Sequence, residues 1–319
     1  MADLVSIGVP VYRGRPFIGE ALDSILAQAH RDLDVLISVD GNDAESADAC
    51  RPYLRDSRFR MVVQERQLGW ADNISHLMAE CRGAFWYYHQ QDDIVAPDYV
   101  SQLIAVAQAR PTVAVVYSDI LTFGNFEQTI VQRSVVGSPA RRELDLLVDH
   151  HPAVAFRGLT RREALAEAGG VRGNEVDNFS ADTTWMASVA RAGALVRLPK
   201  TLYRKRFHAG NVHTKWAEWP LEKRRLGWCV HCRDMFLEAA AADVTLLDRR
   251  LMWHAALARL VAHVARGYLP VAEFGPREKD AVLEQFVACL AGHTAQLESV
   301  LLMSFSEIAA GARRFYRVG

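Results

Sequence analysis

The chain has 319 residues, half of them hydrophobic, and a formal net charge of −1. That length suffices for one large domain or two, and the charge excludes the global basic excess expected when nucleic acid is the principal partner. Met1-Ala2-Asp3-Leu4-Val5-Ser6-Ile7 lacks the basic start and long apolar core of a signal peptide, and no apolar run is long enough to span a bilayer, so the expected location is the cytoplasm.

Leu4 to Val9 reads as a buried strand, Pro10 to Pro16 as a turn, and the next segment as a helix with Ile18, Leu22, Ile25 and Leu26 on its apolar face. Leu33 to Val39 is the second strand and stops at Asp40-Gly41-Asn42-Asp43; a further helix leads to a third strand, Phe59 to Val63. Gly69 to Cys81 reads as helix and Ala84 to His89 as the fourth strand. This alternation with short connections predicts a parallel sheet with right-handed crossovers. The fourth strand runs into Gln90-Gln91-Asp92-Asp93, and Pro97 opens another helix.

Val113 to Asp119 is a fifth strand, Thr122 to Ser138 a hairpin or mobile loop, and Glu143 to Val148 a short helix. Ala153 to Leu159 reads as another strand, followed by a helix from Arg161 with a stop at Gly169-Gly170. Ser180 opens a helix that continues to Ala192, and Leu195 to Leu198 is a further strand. From Trp216 the composition shifts to long helical patterns at Leu221 to Ala240, Leu246 to Val264 and Ala281 to Ala310. Five cysteines at 50, 81, 229, 232 and 289 make no framework; Cys229 and Cys232 read as a buried helix face, since no second Cys/His pair lies at a zinc-site distance.

The chemistry concentrates where strands end. Asp40 follows the second strand and Asp92 the fourth, so both carboxylates are expected at one sheet edge, where open α/β sheets bind ligands. A hard divalent cation with a diphosphate needs oxygen ligands there, and a carboxylate at 40 can accept the imide hydrogen of uracil or thymine. Local readings stand beside these: turn chemistry for Asp40 to Asp43, and helix capping for Asp93, Asp98 or Asp182. Leu202 to His213 is basic and carries two histidines, which suits either a departing diphosphate or a protected edge strand. Arg313-Arg314-Phe315-Tyr316-Arg317 mixes cations and aromatics in a way that suits an anionic membrane surface. No G-x-G-x-x-G and no Gly-rich cationic phosphate loop follows the first strand, against a dinucleotide fold and a nucleotidyltransferase.

Val5-Ser6-Ile7-Gly8-Val9-Pro10-Val11-Tyr12, Val39-Asp40-Gly41, Gly69 with Asn73, and Gln91-Asp92-Asp93-Ile94 with Pro97-Asp98 resemble family 2 glycosyltransferases in order and spacing. The resemblance covers roughly the first two hundred residues. It implies an α/β chain with the GT-A fold: a Rossmann-like, mostly parallel sheet flanked by helices, here with a helical C-terminal extension. The catalytic domain would be 1–214, with a nucleotide-sugar half at about 1–120 and an acceptor half at about 121–214, and the extension 215–319.

The implied activity is inverting transfer from a nucleotide sugar, UDP- or dTDP-linked, to a hydroxyl of a glycan, lipid-linked sugar or protein, in cell-surface polysaccharide, glycolipid or glycoprotein synthesis. By position the resemblance puts Pro10 beside the nucleobase, Asp40 on it, and Asp92 as the last carboxylate of the D-x-D element holding Mn or Mg, with His208 and His213 as further metal candidates. Tyr12, Arg13, Asn73, Gln90, Gln91 and Arg206 would contact the donor, and Asp182 would be the general base. Three positions depart from the family pattern: Gln90 replaces the first D-x-D carboxylate, Arg13 a frequent Asn, and Ala181 a frequent Glu. They keep a second reading open, a non-catalytic relative that binds a sugar or a protein. Through its C-terminal helices the chain is further expected to self-associate or to touch the inner face of a membrane.

Overall fold

The computed structural model describes residues 4–148, 154–211, 216, 218–266 and 279–318. In chain order the strands are β1 (Val5–Val11), β2 (Leu33–Val39), β3 (Phe59–Val63), β4 (Phe85–Tyr88), β5 (Ile94–Val95), β6 (Val113–Gly124), β7 (Thr129–Ile130), β8 (Leu159–Arg161) and β9 (Ala194–Phe207). The α-helices are α1 (Ile18–Leu26), α2 (Ala44–Cys50), α3 (Trp70–Ala79), α4 (Tyr99–Ala109), α5 (Pro139–Val148), α6 (Arg162–Ala168) and α7 (Ala181–Ala192). Five more follow: α8 (Leu221–Ala240), α9 (Leu246–Arg266), α10 (Lys279–Ala291), α11 (Thr294–Leu301) and α12 (Phe305–Val318).

The chain divides into two compact units. The first comprises Met1–Val136, His151–Gly173 and Ser188–His208; the second comprises Gly137–His150, Asn174–Ala187 and Ala209–Gly319. The expected boundary at 214 lies near the last crossing, and the second unit also takes in the two earlier segments.

The first unit is built on a sheet ordered β3-β2-β1-β4-β8-β6-β9-β5, with β7 paired to β6. β1, β2, β3 and β4 run parallel, as the strand–helix alternation predicts. Val5, Val9 and Val11 of β1 and Val35, Ile37 and Val39 of β2 have no exposed surface, and Ser6, Leu36 and Ser38 on the opposite faces are buried too, as in strands covered on both faces. β8 then inserts antiparallel between β4 and β6, and β5 and β7 are antiparallel additions, so the sheet is mixed. β6 and β9 are its long parallel pair, and β9 absorbs both the predicted strand at 195–198 and the basic segment to Phe207.

Two expectations are corrected. The strand predicted from Ala153 to Leu159 is instead one turn of 3-10 helix, Ala155–Arg157, followed by β8; Ala153 itself lies outside the described residues. The chain changes course at Gly158, where an added Cβ would sit 2.5 Å from the Val116 carbonyl oxygen, so the backbone passes directly against β6. The single helix predicted over Ala281 to Ala310 is three helices. Leu302 closes α11 in the left-handed region (φ 49°), and Ser304 with Glu307 forms a capping box for α12: the Ser304 amide donates to Glu307 Oε2 at 2.8 Å, and the Glu307 amide to Ser304 Oγ at 3.4 Å. Within the predicted 122–138 segment β7 turns back to pair with β6, and Val135 makes an isolated antiparallel bridge to Leu195.

In the second unit, α8 supplies a core of Trp228, Cys229, Cys232 and Phe236, and Trp253 of α9 stacks on Phe286 of α10 at 5.9 Å. Buried Arg259 of α9 donates through Nη1 to the Leu146 and Leu147 carbonyls, satisfying the end of α5, and its Nη2 lies 3.0 Å from His231 Nε2. Arg313 of α12 is paired with Glu284 of α10 at 2.9 Å; the side chains of Tyr316 and Arg317 lie outside those described. Among the described residues no helix is long and apolar enough to cross a membrane.

Trp86 of β4 lies across Gly8 of β1: a Cβ on Gly8 would come 2.0 Å from Trp86 Cη2. Gly8→Ala is therefore expected to destabilise the fold by about 1–3 kcal/mol, with part of the loss restored by adding Trp86→Phe. Urea denaturation of the two variants measures both effects.

Candidate active site

The parallel register sets Val11 beside Val39 and Gly8 beside Tyr88, so the segments after β1, β2 and β4 leave the sheet on one side. Asp40, the first residue past β2, is 4% exposed. Its Oδ1 accepts the Leu68 amide at 2.6 Å and its Oδ2 the Gly69 amide at 2.9 Å, which pins the approach to α3. A carboxylate offers about four lone-pair positions, so two amides leave room for another donor.

Asp43 accepts the Ser46 amide at the start of α2 (3.2 Å) and the Arg13 amide at 2.6 Å, and Arg13 sits in the left-handed region at φ 51°. Burial works to raise the Asp43 pKa, but hydrogen bonds from the Ser46 hydroxyl and the Arg13 and Ser46 amides outweigh it and hold the carboxyl below its usual range. Tyr12 is clamped by Gln91: its amide donates to Gln91 Oε1 at 2.8 Å, and Gln91 Nε2 donates to its carbonyl at 3.0 Å.

These loops enclose a cleft of about 310 Å³ lined by Tyr12, Arg13, Asp40, Gly41, Asn42, Asp43, Arg66 and Gln67. Tyr12, Arg13 and Asp40 thus lie on one cleft. Arg66 and Gln67 were missed. They follow β3, and the signal for them was available, because the end of a third parallel strand must open on the same side as the other two.

Other donor candidates are placed differently. Pro10 pairs with Ser38, beyond the point where the β1–β4 ladder ends, so its missing N–H removes no bond on that side. Asn73 is buried on α3; its Nδ2 donates to the Ser38 carbonyl at 3.3 Å, and its Oδ1 has no hydrogen-bond partner among the described residues. The half-buried Gln90 side chain makes no hydrogen bond among the described residues.

Asp92 and Asp93 divide the work after β4. Asp93 has no exposed surface: Oδ2 accepts the Tyr203 hydroxyl at 2.7 Å, Oδ1 accepts the Arg206 amide at 2.8 Å, and Arg157 Nε lies 3.6 Å away. Burial, then the neighbouring Asp92, pushes its pKa up to about 6 against the opposing pull of Arg157 and the two hydrogen bonds. Asp98 is the N-cap residue of α4 but makes no side-chain cap; its Oδ2 instead accepts from Gln102 Nε2 at 3.2 Å.

Asp92 Oδ2 lies 3.0 Å from His208 Nε2, with the two side chains 12% and 27% exposed. That is a hydrogen-bond distance; a carboxylate oxygen and an imidazole nitrogen are also donor types that would hold a divalent cation if it displaced their direct contact. Among the described residues no group of three or more His, Cys, Asp or Glu gathers to hold a metal, so the remaining positions would fall to water and to ligand oxygens. His213 lies outside the described residues. Arg206 is engaged by protein: Nε donates to the Asp92 carbonyl at 3.0 Å, Nη2 meets Glu20 Oε2 at 2.9 Å, and the guanidinium lies between the Phe17 and Phe123 rings at 4.9 and 4.5 Å.

Asp182 belongs to the second unit, in the first turn of α7, where its Oδ1 accepts the Thr183 amide at 2.8 Å. The segment before it is strained: Asp177, Asn178 and Ser180 have φ of 48°, 58° and 53°. Each non-glycine residue held there costs on the order of 1–2 kcal/mol. Asn174 braces the turn, with Nδ2 donating to the Phe179 carbonyl at 3.0 Å and Oδ1 accepting the Val176 amide at 3.1 Å. Fully buried Phe179 is set among Trp216, Trp219 and Trp228, with centroids at 4.7, 6.0 and 5.1 Å.

The family model for glycosyl transferase family 2 matches residues 6–168, just over half of the chain, and the chain belongs to that family. Among curated relatives, the uncharacterized glycosyltransferase EpsJ of Bacillus subtilis (strain 168) is 26% identical over 211 residues, covering 62% of this chain and 59% of EpsJ. Glycosyltransferase GlyG of Streptococcus pneumoniae serotype 4 is 25% identical over 130 residues, covering 40% of this chain and 43% of GlyG. The chain therefore matches about half the length of these relatives. The crystal structure of residues 1–349 of Staphylococcus aureus TarS superposes with a TM-score of 0.66 at 13% identity, over 98% of this chain and 88% of that one. Mannosyltransferase PcManGT of Pyrobaculum calidifontis, solved with GDP-Man and Mn2+, gives 0.53 at 19% identity, over 96% and 85%. The fold is the GT-A type expected from the sequence, with a helical C-terminal region.

Because Asp93 has a folded pKa near 6 against an ordinary 3.8, its contribution to stability is fully present below about pH 4 and is lost as pH rises through 6. Asp93→Asn cannot titrate. Measured in chelator, the unfolding free energy of wild type minus variant should fall by about 2 kcal/mol between pH 4 and pH 7.

Proposed function

We propose that this protein is an inverting glycosyltransferase that takes its sugar from a UDP- or dTDP-linked donor and passes it to a hydroxyl of a glycan, a lipid-linked sugar or a protein. The observation that carries the reading is the Asp92–His208 pair, tied through Gln91 and Tyr12 to a nucleoside-sized cleft floored by Asp40. Structures of TarS with UDP and with UDP-GlcNAc support a nucleotide sugar as ligand, and the Mn2+ in the PcManGT structure supports a cation.

In this reading the spare lone pairs of Asp40 accept the imide N–H of uracil or thymine, which cytosine lacks. Tyr12 and the Arg13 and Arg66 side chains bound the nucleoside and add positive charge toward the phosphates. A divalent cation held by Asp92 and His208 would supply charge neutralisation for the leaving diphosphate. Asp182 takes the proton of the acceptor hydroxyl as its oxygen bonds to the anomeric carbon, and the bond to the diphosphate oxygen breaks on the opposite face, its electron pair leaving with the nucleotide.

A thermal-shift panel of UDP, dTDP and GDP, each with Mn, Mg or chelator, tests the donor half. One nucleotide class should stabilise the protein in a metal-dependent way, with the shift lost in Asp92→Ala and weakened in Asp40→Ala. Asp182→Asn should keep that shift while turnover drops by roughly a hundredfold or more. Stabilisation by no nucleotide would move the protein to the non-catalytic reading, and near-normal turnover of the Asn variant would remove the base from residue 182.

A further inference from the structure

Phe17 is the residue before α1, and its ring touches two side chains at the end of β9. The Arg206 guanidinium lies 4.9 Å from the ring centroid, and the His208 imidazole lies at 4.6 Å with the planes inclined by 42°. These same two residues reach Asp92, Arg206 through the carbonyl at 3.0 Å and His208 through Oδ2 at 3.0 Å. One aromatic ring is therefore a common wall for two side chains that reach Asp92.

The ring is itself held. The Phe17 and Ile18 amides both donate to the Gly14 carbonyl at 2.9 Å, and the Gly14 amide donates to Ser46 Oγ at 2.9 Å. The loop that starts at Tyr12 is clamped by Gln91 and ends at Phe17, so it grips the chain on both sides of Asp92: Gln91 in sequence, His208 in space. Glu20, a turn further along α1, meets Arg206 but is 58% exposed, which makes it a weak rim contact. His208 stands one residue past the end of β9, with the Phe17 ring against its imidazole and Asp92 Oδ2 at its Nε2.

We infer that Phe17 is a positioning residue that sets cation affinity by keeping the His208 imidazole on the Asp92 side of the cleft, where Nε2 and Asp92 Oδ2 can turn to one ion. The inference rests on the functional reading above, in which Asp92 and His208 are the cation's protein ligands. Residues that orient metal ligands without touching the metal change affinity by about 10- to 100-fold when altered.

The test is calorimetric binding of the nucleoside diphosphate that stabilises the wild type, with Mn and with chelator, to wild type, Phe17→Ala, Phe17→Tyr and Asp92→Asn. Phe17→Ala should weaken the Mn-dependent affinity by about tenfold while leaving the affinity in chelator unchanged, and Phe17→Tyr should restore it. If Phe17→Ala binds the Mn-nucleotide as wild type does while Asp92→Asn does not, the role assigned to Phe17 is wrong and the site reading stands. An equal loss with Mn and with chelator would show that the ring only supports the fold, which also overturns the role. If Asp92→Asn matches wild type, or the wild type shows no Mn dependence, the reading of the site fails and takes this role with it.

Discussion

The first unit depends on a buried carboxyl group. Asp93 sits with no exposed surface between the turn after β4 and the end of β9, taking a hydroxyl and an amide from β9 and facing the Arg157 guanidinium. Removing such a group from water is costly unless its lone pairs are filled, and here they are filled from one strand. The last residues of β9 are thereby locked against the segment that carries Asp92. The neighbouring Asp92 carboxylate is half-buried and meets His208 Nε2 at 3.0 Å.

The second unit solves a related problem with strain. Three residues with left-handed backbones precede Asp182, and such a turn persists only when its surroundings over-determine it. Asn174 supplies the local bonds and Phe179 the anchor, its ring packed among three tryptophans. Gly227 of α8 has no side chain where a Cβ would meet that ring at 3.3 Å, so the helix can approach closely. The packing of α8 fixes the start of α7.

The parallel half of the sheet was legible because β1, β2 and β4 are buried on both faces and read as mostly apolar runs, interrupted at Ser6, Asp34 and Ser38. β5, β7 and β8 have two or three residues each, too few to show a period, and their antiparallel pairing depends on partners far along the chain. Asp40 and Asp92 were legible as carboxylates at strand ends. What a polar side chain faces was not: Gln91 binds the Tyr12 backbone, Asn73 binds the Ser38 carbonyl, and Arg206 binds Glu20 and the Asp92 carbonyl. Residue type and spacing alone do not distinguish a side chain that meets a ligand from one that satisfies a backbone group. The break before α12 did have a signal, the Ser304–Glu307 capping box, set inside an otherwise continuous helical pattern.

Asp40 carries two obligations at once, since the carboxylate on the cleft floor is also the acceptor for the Leu68 and Gly69 amides. Redesigning base preference by replacing it would therefore disturb the entry to α3 along with the cleft. Arg66 and Gln67 line the same cleft from an exposed loop. Their side chains are the adjustable part of this pocket, and Asp40 is the part an engineer should leave alone.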